Sequence, residues 1–276
     1  MFDDHLKGLS PDAVAAWYRR LADAWPRLLS TIKDPLAGEF IRTWLDNRQV
    51  DKVYEFDAPE HLRSLPAVMD VLRFHREVFL SAQKARFTGG AQKCVGIIPR
   101  IQGLPGFQQW DMKGQLSLEY ESLCDPVPNA AAIAQARLLS TPGNKADEAK
   151  ADISASLRGF QLKSSCTITV SPTANPSEVK VRFTSWYASA TDRYDWDNAK
   201  HLIVPNPDYQ SKADDAVKPE MKSLTVFHSN AIRLETAGLA APFMVKIRPW
   251  YVNDSTISKP TNTDGSTTIN IKKRPC

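Results

Sequence analysis

The sequence predicts an α+β fold, in which an N-terminal helical bundle is followed by an antiparallel β region of hairpins with short helices. Two observations carry this expectation. Apolar residues recur at helical spacing through the first ninety positions, and after Gly89-Gly90 the spacing switches to every second residue. Helices first and strands afterwards, rather than in alternation, is the order of segregated α+β layers and not of a Rossmann or barrel fold. The chain is therefore expected to divide into a helical region at 1–90, a β-rich catalytic region at 91–252, and a polar tail or edge strand at 253–276.

Each N-terminal helix carries a start signal. Ser10-Pro11 precedes a helix at 12–31, Asp34-Pro35 one at 36–48, and Asp57 with Glu60 one at 61–87. Their apolar stripes include Trp17, Leu21 and Trp25, then Phe40, Ile41 and Trp44, then Val68, Leu72, His75 and Phe79. Pro26 and Pro66 should kink or split two of them, because an interior proline lacks the N–H and clashes with the preceding turn. His61 and His75 read as core-edge or surface histidines. Further on, 93–102 and 112–123 flank Gly103-Leu104-Pro105-Gly106 as one hairpin, and 165–171 and 178–189 flank 172–176 as a second. Residues 126–159, rich in Ala, Asp and Lys, read as one or two exposed helices. A short helix at 230–239 closes on Gly238, a strand follows at 243–252, and Thr267-Thr268-Ile269-Asn270-Ile271 alternates as an edge strand or part of a tail.

Composition narrows the function classes. With 42% hydrophobic and 9% aromatic residues the chain can bury a sizeable core. A net charge of +4, spread over 35 basic and 31 acidic residues, is not the clustered basic face of a nucleic-acid binder. No apolar run approaches the roughly 20 residues of a bilayer span, and Met1-Phe2-Asp3-Asp4-His5 is acidic where a Sec signal is basic and then apolar. Cys94, Cys124, Cys166 and Cys276 have no CxxC spacing, which argues against structural zinc. Cys94 and Cys124 flank the Pro105-Gly106 turn about symmetrically, compatible with a disulfide or with separate buried thiols. Phosphate-loop, dinucleotide, serine-hydrolase and zincin motifs do not occur.

The densest chemistry lies in Asp192-Arg193-Tyr194-Asp195-Trp196-Asp197-Asn198-Ala199-Lys200-His201, at the end of a strand. If the strand persists, Asp192 and Tyr194 share one face and Asp195 begins the turn. Crowded carboxylates raise one another's pKa or recruit a hard divalent cation, and His201 can fold back as acid, base or nucleophile. That inventory suits cleavage of a phosphoric ester or pyrophosphate. The alternative is architectural, with the aspartates as turn residues and Tyr194 and Trp196 as core plugs. His228 has the same two readings, a second imidazole in the cleft or a helix-start packing residue.

The spacing Asp-x-Tyr-Asp, five residues, His, met by Asp192, Tyr194, Asp195 and His201, resembles the catalytic signature of the colicin M-like bacteriocins. The segment from Asp192 to Trp250, with Arg193-Tyr194-Asp195-Trp196 followed by Arg233-Leu234-Glu235 and Ala237-Gly238-Leu239-Ala240, also resembles an uncharacterised proteobacterial domain family whose members occur near type VI secretion genes. The first resemblance implies a Mg2+-dependent toxin that cuts the lipid-linked cell-wall precursor lipid II between undecaprenol and pyrophosphate. Asp192, Tyr194, Asp195 and His201 would be its catalytic residues, with Asp192 and Asp195 at the metal. The family's arginine after the histidine is Leu202 here, which passes phosphate neutralisation to Arg193, Lys200 or Arg233. The second resemblance implies synthesis in a bacterial cytoplasm, export through a secretion apparatus component, action in the target-cell periplasm and an immunity protein as partner. A non-enzymatic secretion adaptor, immunity-like or structural interaction protein is the competing expectation, supported by Leu202.

Overall fold

A computed structural model describes residues 6–29, 31–81, 84–86, 92–94, 96–125, 144–196, 201–205, 207 and 223–271. The fold is α+β with a mixed sheet, ordered β1 (Lys52–Phe56), β9 (Phe243–Tyr251), β6 (Glu178–Tyr194), β5 (Phe160–Pro172) and β4 (Gly114–Cys124), with β10 (Thr267–Asn270) on β6, plus two short two-stranded pairs. It forms two compact units, each gathered from three stretches: Met1–Pro66, Asp125–Phe160 and Thr191–Ile247 in the first, Ala67–Cys124, Gln161–Ala190 and Arg248–Cys276 in the second.

In the first unit, α1 (Pro11–Leu28) starts as the sequence predicts: the Ser10 side chain accepts from the Ala13 N–H and Pro11 takes the first helical position. Pro26 falls in the last turn, so its effect is confined to the helix end. Helix α2 (Leu36–Asp46) approaches α1 at Gly38, where a Cβ would lie 2.9 Å from the Ala22 carbonyl oxygen and 3.4 Å from Trp25 Cβ. Only glycine permits that approach. Strand β1 (Lys52–Phe56), unanticipated within the helical region, pairs parallel with β9 (Phe243–Tyr251) in the register Lys52↔Phe243 to Phe56↔Ile247. Its five residues bury only Phe56, too weak an alternation to register in the sequence. Phe40, Phe56, Tyr194 and Phe243 pack with ring centroids 4.5–6.2 Å apart.

After the short α3 (Glu60–Arg63), the unit's next helix is α6 (Lys145–Ser156), which corrects an expectation. It is buried, not exposed, and its inward face carries two carboxylates that hydropathy counts as solvent-facing. Fully buried Asp152 accepts from the Leu36 N–H at 2.8 Å, the Ala37 N–H at 2.9 Å and the Trp25 indole at 3.2 Å. His61 Nε2 lies 2.8 Å from Oδ2, the oxygen that also accepts from Leu36. One turn earlier, Glu148 accepts from the Thr31 N–H and hydroxyl at 2.7 and 2.6 Å. Pro35, the cap residue of α2, makes no side-chain cap bond, so Asp152 caps α2 from another helix. His61 is accordingly a core residue, not a core-edge or surface one. Residues 126–143 of the same predicted stretch lie outside the described residues.

In the second unit, α4 (Pro66–Phe79) begins at the proline expected to split the third predicted helix and stops at Phe79. Strands β5 (Phe160–Pro172) and β6 (Glu178–Tyr194) form the second predicted hairpin. The first hairpin is not formed as expected. Strand β2 (Lys84–Arg86) pairs with β3 (Gln92–Cys94), α5 (Ile97–Gln102) follows, and only β4 (Gly114–Cys124) joins the large sheet. Gly96 caps α5, Pro99 falls in its first turn where no N–H is needed, and Ile97, Ile98 and Ile101 are buried at helical spacing. Trp110 at the expected hairpin tip folds back, its indole donating to the Thr173 carbonyl at 2.9 Å. Cys166 is a buried free thiol, Cys124 is also buried, and the Cys94 side chain lies outside the described residues, as does Cys276. After the four-residue α8 (Asp254–Ile257), β10 (Thr267–Asn270) is the predicted edge strand, antiparallel to β6.

His75, also buried, lies with Nδ1 2.8 Å from Ser164 Oγ and Nε2 2.7 Å from Ser122 Oγ. Burial holds its pKa down at about 4. Between pH 6.5 and about 4 the unfolded chain takes up a proton that the folded one refuses, so this site's contribution is full above pH 6.5 and lost as the pH falls. His75→Gln should flatten the acid limb of the stability profile by about 3 kcal/mol between those limits. Urea denaturation of both proteins at pH 4.5 and 7.5 measures it, and parallel profiles would refute it.

The burial alternation of β6 places the next element. It buries Val179 and Val181, then changes parity and buries Trp186, Ala188, Ala190 and Tyr194. No helix among the described residues is long and apolar enough to cross a membrane.

Candidate functional site

Within the first unit, the end of β6, the turn after α6 and the start of α7 (His228–Thr236) enclose an open cleft of about 500 Å3. Asp192, Arg193, Tyr194, Asp195 and Trp196 line it from one side, Arg158 and His228 from the others. Four of the sequence-predicted site residues are thus brought together. Asp192 and Tyr194 share the inward face as expected, while Arg193 and Asp195 alternate to the exposed face.

Their environments differ sharply. Asp192 is half-buried, and its carboxyl is pushed up to about 7, chiefly by burial and further by the negative charge of Asp195; the Arg193 backbone N–H and Arg158 oppose the shift. Asp195 is half-exposed and accepts from Arg193 at 2.6 Å, while the same guanidinium reaches Asp51 at 2.8 Å. Tyr194 is buried against Phe40, Phe243 and Trp196, and burial raises its phenol pKa. The Trp196 indole N–H is buried with no acceptor among the described residues, and its ring stands edge-on to His228 at 4.9 Å. The architectural expectation for these two aromatic residues therefore holds alongside their place at the cleft.

His201 begins β7 (His201–Pro205), which pairs antiparallel with β8 (Ser223–Phe227) in the register His201↔Phe227. Its backbone lies opposite the residue before His228; its side chain, and the whole of Asp197 and Lys200, lie outside the described residues. Arg233 does not line the cleft: it donates to the Leu9 carbonyl at 2.7 Å and to Asn230 at 3.4 Å.

The sequence reading missed Arg158. It follows the C-cap Leu157 of α6, and its backbone N–H donates to the Ile153 carbonyl at 2.9 Å. At φ 48° it occupies the left-handed conformation that glycine usually supplies at a helix C-terminus, although Gly159 is the next residue. An L-residue there costs about 1 kcal/mol. Its guanidinium lies 3.1 Å from Nε2 of buried His228. A guanidinium only donates, so Nε2 accepts, and His228 is a neutral imidazole with its proton on Nδ1. Such an outlier at a cleft wall was available in Leu157-Arg158-Gly159 only as a helix-end signal.

Among the described residues, no group of three or more His, Cys, Asp or Glu side chains is arranged to hold a metal ion. No protein-family model matches the chain. Among curated proteins and among solved structures, likewise, nothing matches it.

Proposed function

We propose that this protein is an interbacterial toxin that hydrolyses an undecaprenyl-pyrophosphate-linked peptidoglycan precursor, lipid II, in the manner of the colicin M-like bacteriocins. One observation carries the reading: Asp192, Tyr194 and Asp195, spaced as in that signature, line one open cleft in which a carboxyl is tuned to titrate near neutral pH. Hydrolysis delivers a water hydroxyl to the phosphorus and its proton to the leaving oxygen, giving undecaprenol and a pyrophosphorylated disaccharide-peptide. Asp195 positions or activates the attacking group, Asp192 helps to bind Mg2+ or the pyrophosphate, Tyr194 orients both from the core side, and His201 is the acid-base catalyst. Arg193, which lines the cleft, and Lys200 are the proposed substrate contacts; Arg233, engaged with Leu9 and Asn230, is not one of them.

Mg2+ belongs to the proposal. The charge of Asp195 disfavours ionisation of Asp192, a conflict that a cation held by the two carboxylates would relieve, and magnesium commonly takes only one or two carboxylates beside substrate phosphates. It would neutralise pyrophosphate charge there. Delivery as type VI cargo into the target periplasm, with an immunity protein in the producing cell, completes the reading.

Incubation of the purified chain with lipid II and Mg2+ is expected to release the pyrophosphorylated disaccharide-peptide. Release no greater than from Asp195→Ala would end the proposal. His201→Ala is expected to lower turnover about a hundredfold with little change in Tm.

A non-enzymatic adaptor, immunity-like or structural role is favoured by a different observation: Tyr194 is enclosed by aromatic rings and Asp195 is tied to Arg193. Expression in a sensitive bacterium separates the two readings. Lysis from the periplasm alone supports the toxin, and harmless expression in both compartments supports the adaptor.

A further inference from the structure

We propose that Arg158, held by His228, is the phosphate-recognition element of the cleft and binds a pyrophosphate-class anion. The proposal rests on the hydrolase reading for the identity of its natural ligand, and on geometry for the site itself. Arg158 lines the cleft from the helix end opposite the Asp192 turn, more than thirty positions away in sequence.

Three features single it out. First, its guanidinium has no carboxylate within ion-pair distance among the described residues. Arg193 in the same cleft is shared between Asp51 and Asp195, and Arg76 in the other unit lies 2.6 Å from Asp254. The Arg158 charge acts on Asp192 without an ion pair, which leaves its fork geometry open to two phosphate oxygens. Second, the 3.1 Å bond to a neutral, 1% exposed imidazole commits one N–H and fixes the plane of the group, leaving the remaining donors pre-oriented. Third, the left-handed backbone at Arg158 places a side chain where a glycine would place none. His228 is also the first residue of α7, nine residues long, and the positive end of that helix adds to the same field.

Calorimetric titration of the full chain with inorganic pyrophosphate, without Mg2+ or lipid II, tests the site. The parent protein should bind, and Arg158→Gly and Arg158→Gln should each weaken binding tenfold or more. Glycine accepts the left-handed conformation without strain but leaves the buried His228 Nε2 without this donor, so the two effects oppose and Arg158→Gly should change Tm little. That combination separates recognition from a structural role, which would lower Tm and spare affinity. Arg158→Lys, retaining charge without the fork, should fall between. Absence of pyrophosphate binding by the parent, or affinity within twofold in both the Gly and Gln variants, overturns the proposal. Binding that depends on Arg158 in a protein that leaves lipid II intact would sustain this site and remove the hydrolase reading alone.

Discussion

Asp152→Ala is expected to lower the unfolding free energy by about 3–5 kcal/mol, the range found when one partner of a buried charged network is removed. The carboxylate is fully buried and serves the Leu36 and Ala37 backbone N–H groups, the Trp25 indole and the His61 imidazole. Alanine would strand all four without solvent, and each orphaned buried group carries a penalty of about 1–3 kcal/mol. Partial collapse and water entry keep the total below the sum. Asparagine would not rescue the site, because its amide presents N–H groups toward donors. Urea denaturation measures the change. A loss under about 1 kcal/mol would mean that α2 is capped by something else.

Asp192→Asn should raise stability at alkaline pH and, under the proposed hydrolase function, lower lipid II turnover by about a hundredfold or more. The folded carboxyl titrates at about 7 against an ordinary 3.8. Below pH 3.8 the group is neutral in both states and the protonated form favours the fold. As the pH climbs through 7 that contribution is lost, because ionisation must occur in a partly desolvated place. Asparagine never ionises, so the variant should gain about 2 kcal/mol over the parent at pH 8, after allowance for solvent screening, and nothing at pH 4. Thermal melts at the two pH values decide this. Equal differences at both would show that Asp192 does not titrate in this range. A variant both slower and more stable is the signature of a residue held for chemistry.

The elements visible in the sequence were those announced by local signals. Ser10-Pro11 and Pro66 mark helix starts through backbone chemistry that needs no tertiary partner, and the β5–β6 hairpin and β10 show period-two alternation. What escaped was set by distant partners. Strand β1 exists because β9 lies beside it, α5 replaces a strand because three isoleucines find one buried side, and α6 is buried on carboxylates. At the site, the Asp192 turn was readable because its groups are contiguous. Arg158 and His228, seventy positions apart, meet only in the fold.

The cap of α2 has a consequence for how the molecule is made. Asp152 and Glu148 reach back 115–117 positions to the segment they hold, and β1 waits for a neighbour that begins at Phe243. Contacts of such separation form late, because the intervening chain must close before they contribute. A ribosome-bound chain that has exposed α1 and α2 thus presents Trp17, Trp25 and Trp44 to its surroundings through the synthesis of more than a hundred further residues. The two helices are written more than a hundred residues before the side chains that fasten them, so this unit reaches its native state only after the chain through Ile247 has emerged.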